Sequence, residues 1–350
     1  MGSLQLALLV LGVLVVAAVV AHGAWQARRA GVRRASPRRE AAPQRFEEPV
    51  LRFEDFEPPL ADALEPALAP APARRPLGPR LDPLIDAIVP LVVELRFTGE
   101  SVMNHLPATR RAGSKPFFIE GLNDATSEWE PPQAGQTYRE FQAGVQLANR
   151  TGALNEIEYS EFVQKVQAFA DAIGATAEFP DMLDVVARAR ELDQFASQHD
   201  AQLACRLVAR GAAWSVAYIQ QHAARHGFVS GAVPGRLVLP GSQEGAPAML
   251  TLQFDAQAAF AEDPSRAAVR DVSLAFDVPQ TSAGEAPFQA WQASAQALAL
   301  GMEAAVVDDA GQPLSPQAFA AIGRELEQLY ATLEARGLPA GSAAARRLFS

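Results

Sequence analysis

Val272-Ser-Leu-Ala-Phe-Asp-Val278 alternates large apolar residues with small or polar ones, and the same alternation occurs earlier as Phe141, Ala143, Val145 and Leu147. A period of two puts successive side chains on opposite faces, so each run predicts a strand with one buried face. Each is followed by a helical ladder. Phe162, Val166, Phe169 and Ile173 lie within Glu156–Gly174, and Trp291, Ala295, Leu298 and Met302 lie within Pro287–Met302. Both follow i, i+4, i+7, i+11, a single stripe of an α-helix.

A second helix follows each ladder. In the first, Arg190-Glu-Leu-Asp-Gln-Phe195 echoes Arg324-Glu-Leu-Glu-Gln-Leu329, with four of six positions identical. One amphipathic helix often resembles another by chance. The same order of strand, helix, connection and helix, with that hexapeptide in register, points to two copies of one unit, 84–200 and 201–337.

The front halves are consistent with this. Leu91, Val93, Leu95 and Phe97 alternate as a strand, followed by a short Ser101–Leu106 helix and the apolar Phe117-Phe-Ile119. In the second copy, Leu203, Cys205 and Leu207 alternate, Ala212–His226 reads as a helix leading to Gly227-Phe228-Val229, and Arg236–Leu239 and Met249–Phe254 read as strands. Strands and helices mix without regular βαβ alternation, so the expected class is α+β with largely antiparallel sheets. Ser315 and Pro316 mark the start of the last helix, which buries Phe319, Ile322, Leu326, Leu329 and Leu333 and stops at Gly337. Residues 338–350 read as a flexible, frayed tail.

Ahead of these units lies a different kind of chain. Leu6 to Ala21 is apolar and no charge occurs from Leu4 through Trp25. About 20 apolar residues at ~1.5 Å each span a bilayer core, so residues 1–27 are expected to be a transmembrane anchor. Arg28, Arg29, Arg33, Arg34, Arg38 and Arg39 follow within a basic segment, 28–39. They predict an N-terminus outside, the rest inside, and contact with anionic lipid. A cleaved signal peptide would carry its positive charge before the apolar run, not after it. Residues 40–82 then turn to proline, alanine and acids, as a tether requires. Phe46-Glu-Glu-Pro-Val-Leu-Arg-Phe53-Glu-Asp-Phe56 interrupts that tether as a candidate short docking motif.

The 350 residues carry a net charge of −10 despite the basic segment, which argues against a nucleic-acid partner. The single cysteine, Cys205, excludes an internal disulfide and fits a buried structural thiol. His222 and His226 have a metal-compatible i, i+4 spacing but no third ligand beside them. Asp308 and Asp309 precede Ala310-Gly311 and suit a turn. No phosphate loop, nucleophile elbow or Cys/His arrangement is visible, so no cofactor, no metal and no enzymatic activity are expected.

The anchor, basic collar, tether and terminal unit together resemble the ZipA family, bacterial division proteins that tether FtsZ to the inner membrane. The resemblance is carried by Val19-Val-Ala-His22-Gly23-Ala-Trp25 with the arginines behind it, Val272-Ser-Leu-Ala-Phe-Asp-Val-Pro279, Ala297-Leu-Ala-Leu-Gly-Met-Glu-Ala-Ala-Val-Val-Asp-Asp309, Leu314-Ser-Pro-Gln317, Gly227-Phe228 and Ala248-Met-Leu-Thr-Leu252. It covers the anchor and about 201–337. It implies a split β-α-β fold with helices on one sheet face, an open groove on the other that receives the FtsZ C-terminal peptide, and an inner-membrane location with the folded units in the cytoplasm. If Leu274, Phe276 and Val278 point to the helices, the open face of the second unit is made by Ala204, Arg206, Val208, Met249, Thr251, Gln253, Ser273 and Ala275. The family has bulkier apolar residues at several of these places, notably an aromatic where Ala275 stands. Losing on the order of 100 Å² of contact at ~25 cal/mol per Å² removes about 2.5 kcal/mol of binding. A membrane-anchored adaptor for a different division or envelope protein is therefore the alternative. In the first unit the corresponding face, Val92, Glu94, Arg96, Gln142, Gly144 and Gln146, reads as solvated surface, a spacer or a second partner surface; alternatively, the two copies pack sheet edge to sheet edge.

Overall fold

The computed structural model describes residues 80–242, 245–260, 263 and 267–350. The expected anchor, the basic segment, the Phe46–Phe56 motif and all but the end of the tether lie outside the described residues. Within them the protein is α+β, with antiparallel strands throughout both large sheets. No described helix is long and apolar enough to cross a membrane.

The first sheet is built on β1 (Asp86–Val92), β2 (Lys115–Asn123), β3 (Thr137–Gln146) and β4 (Thr176–Ala177), ordered β2-β3-β1-β4. Short strands at Phe97–Thr98, Arg111–Ala112 and Trp129–Glu130 extend it. α1 (Glu156–Ile173) follows its expected span, and α2 (Met182–His199) carries the Arg190–Phe195 hexapeptide. Asn155 and Glu158 cap α1 reciprocally, satisfying N–H groups that the helix cannot, and Gly174 ends it with φ of 63°. Asp181 caps α2. Phe117 and Phe141 meet Phe162 and Phe169 edge to face, with ring centroids 5.6 and 6.2 Å apart. That contact fixes which sheet face is covered.

The second sheet runs from an edge strand Val229–Ser230 through β6 (Arg236–Leu239), β7 (Leu250–Gln253), β8 (Asp271–Asp277) and β5 (Gln202–Ala209) to β9 (Ala304–Val307). Its helices are α3 (Val216–Arg225), α4 (Pro287–Met302) and α5 (Pro316–Ala335). Trp291 is fully buried on α4 and donates its Nε1–H to the Leu274 carbonyl at 2.9 Å. The core strand order β7-β8-β5-β9 has the same antiparallel sequence of partners as β2-β3-β1-β4. The two sheets remain separate, and no strand ladder joins them edge to edge among the described residues.

Several boundaries differ from the sequence expectation. β1 begins at Asp86, because the buried alternation starts upstream with Ile85, Ala87 and Val89, and it ends before Leu95, which is exposed. The first short helix is Gly99–Met103, capped by Thr98. α3 starts at Val216 because the Ser215 hydroxyl accepts the Tyr218 N–H, and it ends before His226.

The largest correction concerns the chain end. Residues 338–350, expected to fray, pack into the first unit: α6 (Ala343–Leu348) buries Ala344, Ala345 and Leu348, and Leu338 and Phe349 join the same core. The physical reason is a shared helix. The first half of α5 buries Phe319 and Leu326 in the second core, while Leu333, nearer its end, lies in the first. A helix of 20 residues is about 30 Å long, enough to deliver the tail across the boundary. Each fully buried aliphatic side chain contributes about 1.5–3 kcal/mol, so the second unit ends by completing the first. Arg150 adds a polar clasp, bonding Asp200 through Nε at 2.8 Å and Asp277 of β8 through Nη2 at 2.6 Å.

The first sheet's far face is solvated only in part: Val92 is exposed and Gln142 partly so, but Gly144 and Gln146 are buried, with Leu81 packed on Gly144 and the Gln146 side chain donating to the Ala148 and Arg347 carbonyls. Glu94 and Arg96 lie outside the strands altogether.

Candidate partner-docking face

Leu250, Leu252, Leu274, Phe276, Cys205 and Leu207 turn inward beneath α4 and α5. Strand parity then sends the intervening residues outward. Pairing register places Val238, Thr251, Ala275 and Ala204 in one row across β6, β7, β8 and β5, with Val229 at its far end. A neighbouring row contains Arg236, Gln253, Ser273, Arg206 and Val307. Val208 lies opposite Asp271 and Ala305. Seven of the eight residues expected on the open face, Ala204, Arg206, Val208, Thr251, Gln253, Ser273 and Ala275, fall on one parity of one sheet, whereas Met249, outside β7, packs against the second core.

The centre of this face is shallow because its side chains are small. Ala204, Ala275, Thr251 and Ser273 are each partly exposed, and Val229 and Gln253 are more so. Arg206 donates to the Asp271 carboxylate through Nε at 3.1 Å and through Nη2 as well. Both side chains are over a third exposed, so the pair contributes at most about 1 kcal/mol and remains available to a partner. Arg236 is exposed at the other end of that row. Apolar ground bounded by separated charges suits an extended or amphipathic peptide better than a small molecule.

Val229, Val238 and Arg236 extend this face beyond the expected residues, and Val307, in the same row as Arg206, is buried. The signal was present in Arg236–Leu239, where Leu237 is buried while Arg236 is exposed. A strand four residues long has too few alternations to assign its two sides.

Chemistry elsewhere is sparse. Cys205 is fully buried, and burial pushes its thiol up to about 12. His222 lies against the Tyr218 ring and beside Gly301; His226 is beyond the helix end. Among the described residues no group of three or more His, Cys, Asp or Glu side chains could hold a metal ion. Asp308 does form a turn, its carboxylate accepting the Gln312 N–H at 2.7 Å.

One of the buried polar clusters of the first unit centres on Lys115. Lys115 Nζ donates to Asn149 Oδ1 at 2.8 Å, Ser114 Oγ at 3.0 Å and Thr151 Oγ1 at 3.1 Å. Desolvation pulls the Lys115 ammonium below its ordinary range, against the attraction of Glu158 and Asp193. Burial opposes the charge on Glu158, but bonds from the Ser114 hydroxyl and N–H outweigh it and hold the carboxyl below its usual range. These bonds tie the turn before β2 to the start of α1. The cluster is a fastening, with each polar group answered by another.

No protein-family model and no curated protein matches the chain.

Proposed function

We propose that this protein is a membrane-tethered bacterial cell-division scaffold, and that the helix-free sheet face of its second unit receives the C-terminal peptide of FtsZ. The observation that carries the reading is the uncovered row Val238, Thr251, Ala275 and Ala204, flanked by Arg206 and Arg236. The resemblance to the ZipA family supplies the identity of the peptide. In this reading residues 1–27 anchor the chain in the inner membrane with the N-terminus in the periplasm. Arg28, Arg29, Arg33, Arg34, Arg38 and Arg39 rest on anionic lipid, and residues 40–82 hold the folded units in the cytoplasm. The protein catches a partner and catalyses nothing.

Titrating the full chain with a labelled FtsZ C-terminal peptide tests this. Saturable binding that Ala275→Lys abolishes supports it, and no saturation up to roughly 100 µM, an affinity weaker than about −5.5 kcal/mol, counts against it.

The small, polar centre of the face favours a second reading, in which the same anchor and fold present a different division or envelope protein. Crosslinking in cells separates the two: FtsZ recovered through a probe at Thr251 supports the first, and another protein at that position supports the second.

A further inference from the structure

The far face of the first sheet contains a built seat for an extended chain, and the protein's own residues fill it. Glu120 is fully buried on β2. One of its oxygens accepts the backbone N–H groups of Arg80 and of Leu81, the latter at 3.3 Å, and the other accepts the Gln142 amide at 2.9 Å. Leu81, only 8% exposed, packs on Gly144 so closely that a Cβ there would come within 2.5 Å of it. Beside it the Phe118 ring faces two guanidiniums, Arg80 at 5.6 Å and Arg347 at 5.1 Å. Arg347 also donates to the Arg80 carbonyl. Two backbone donors, one backbone acceptor, a basic side chain and an aliphatic side chain are thus all recognised.

Strand pairing equates this seat with the centre of the second unit's open face. Gly144 lies between Ile88 and Phe118, as Ala275 lies between Ala204 and Thr251. Glu120 opposes Gln142, as Gln253 opposes Ser273. The first face is filled where the second is open.

We propose that the first sheet's far face is a second peptide-docking site, specific for an extended segment with a basic residue followed by leucine, and held shut in cis by Arg80 and Leu81. A partner segment of that chemistry displaces them. The Phe118 ring reads the basic side chain, Glu120 holds the occupant's backbone N–H groups, and the seated dipeptide shows the mode of binding. This site is independent of what the second unit binds, so the two readings fail separately.

The test uses the full chain and a fluorescent peptide with the sequence Pro76-Leu-Gly-Pro-Arg-Leu-Asp-Pro83. A cis occupant lowers apparent affinity by the fraction of molecules that are open. Leu81→Ala should therefore bind the peptide at least about tenfold more tightly than the wild type, and adding Gly144→Val should abolish that binding by filling the seat. A thermal melt establishes that each variant is folded; if Leu81→Ala is not, Arg80→Ser, which frees one face of Phe118 at a half-buried position, replaces it. Enhanced binding that Gly144→Val removes supports the proposal. A folded variant that binds no better than wild type, or binding that persists with Gly144→Val, overturns it and makes Arg80–Leu81 a fixed strut.

Discussion

Arg347 on the last helix and Asp86 on the first strand form a two-pronged ion pair, with Nη2–Oδ1 at 2.6 Å and Nη1–Oδ2 at 2.8 Å. The Asp86 side chain has no solvent exposure. Burial pushes its carboxyl above the usual carboxylate range, and the bonds from Arg347 only partly offset this. The pair joins the two ends of the described chain across the first sheet, and its disruption is a sensitive probe of the fold.

Arg347→Ala leaves a buried carboxylate without its partner and should cost about 3–5 kcal/mol, whereas Asp86→Asn with Arg347→Met should recover much of the loss. Folding raises the Asp86 pKa, so this group's contribution is full below its unfolded value and is lost as pH rises through the folded one. Without Arg347 the folded pKa rises further. Urea denaturation should therefore show a smaller deficit for Arg347→Ala near pH 4 than near pH 7.

Leu348→Ala tests whether the chain end is structural. Leu348 is fully buried in the first unit's core, so the truncation should destabilise by about 2–5 kcal/mol. A frayed tail would show no change in the denaturation midpoint.

Trp291→Phe removes the donor that satisfies the Leu274 carbonyl on β8. The buried acceptor left alone should cost about 1–3 kcal/mol beyond the lost volume, measurable as a lowered melting temperature.

Cys205 should resist thiol reagents in the native protein, because it is fully buried and its thiol is pushed up to about 12. Labelling should appear only at the rate of unfolding; rapid native labelling would place β5 at the surface.

The alternations around Phe141 and Val272 were legible because a period of two survives in any strand with one buried face. Ser273 and Ala275 follow from that parity once Leu274 and Phe276 turn inward, whereas Met249, beyond the end of β7, does not obey it and packs against the core. The tail was not legible, since Ala343–Leu348 is a single short helix with two arginines, and its burial depends on a core formed by residues far away in sequence. For the same reason Leu333 read as part of the second unit, although it packs in the first. The covering of the first sheet was hidden too. Gly144 and Gln146 look solvent-facing until Leu81 and Arg347 are brought onto them.

Hydrogen–deuterium exchange on the full chain, with and without an FtsZ C-terminal peptide, tests the central claim most directly. The account predicts new protection confined to Arg236–Leu239, Leu250–Gln253, Asp271–Ala275 and Gln202–Val208. Protection elsewhere, or none at saturating peptide, would contradict it.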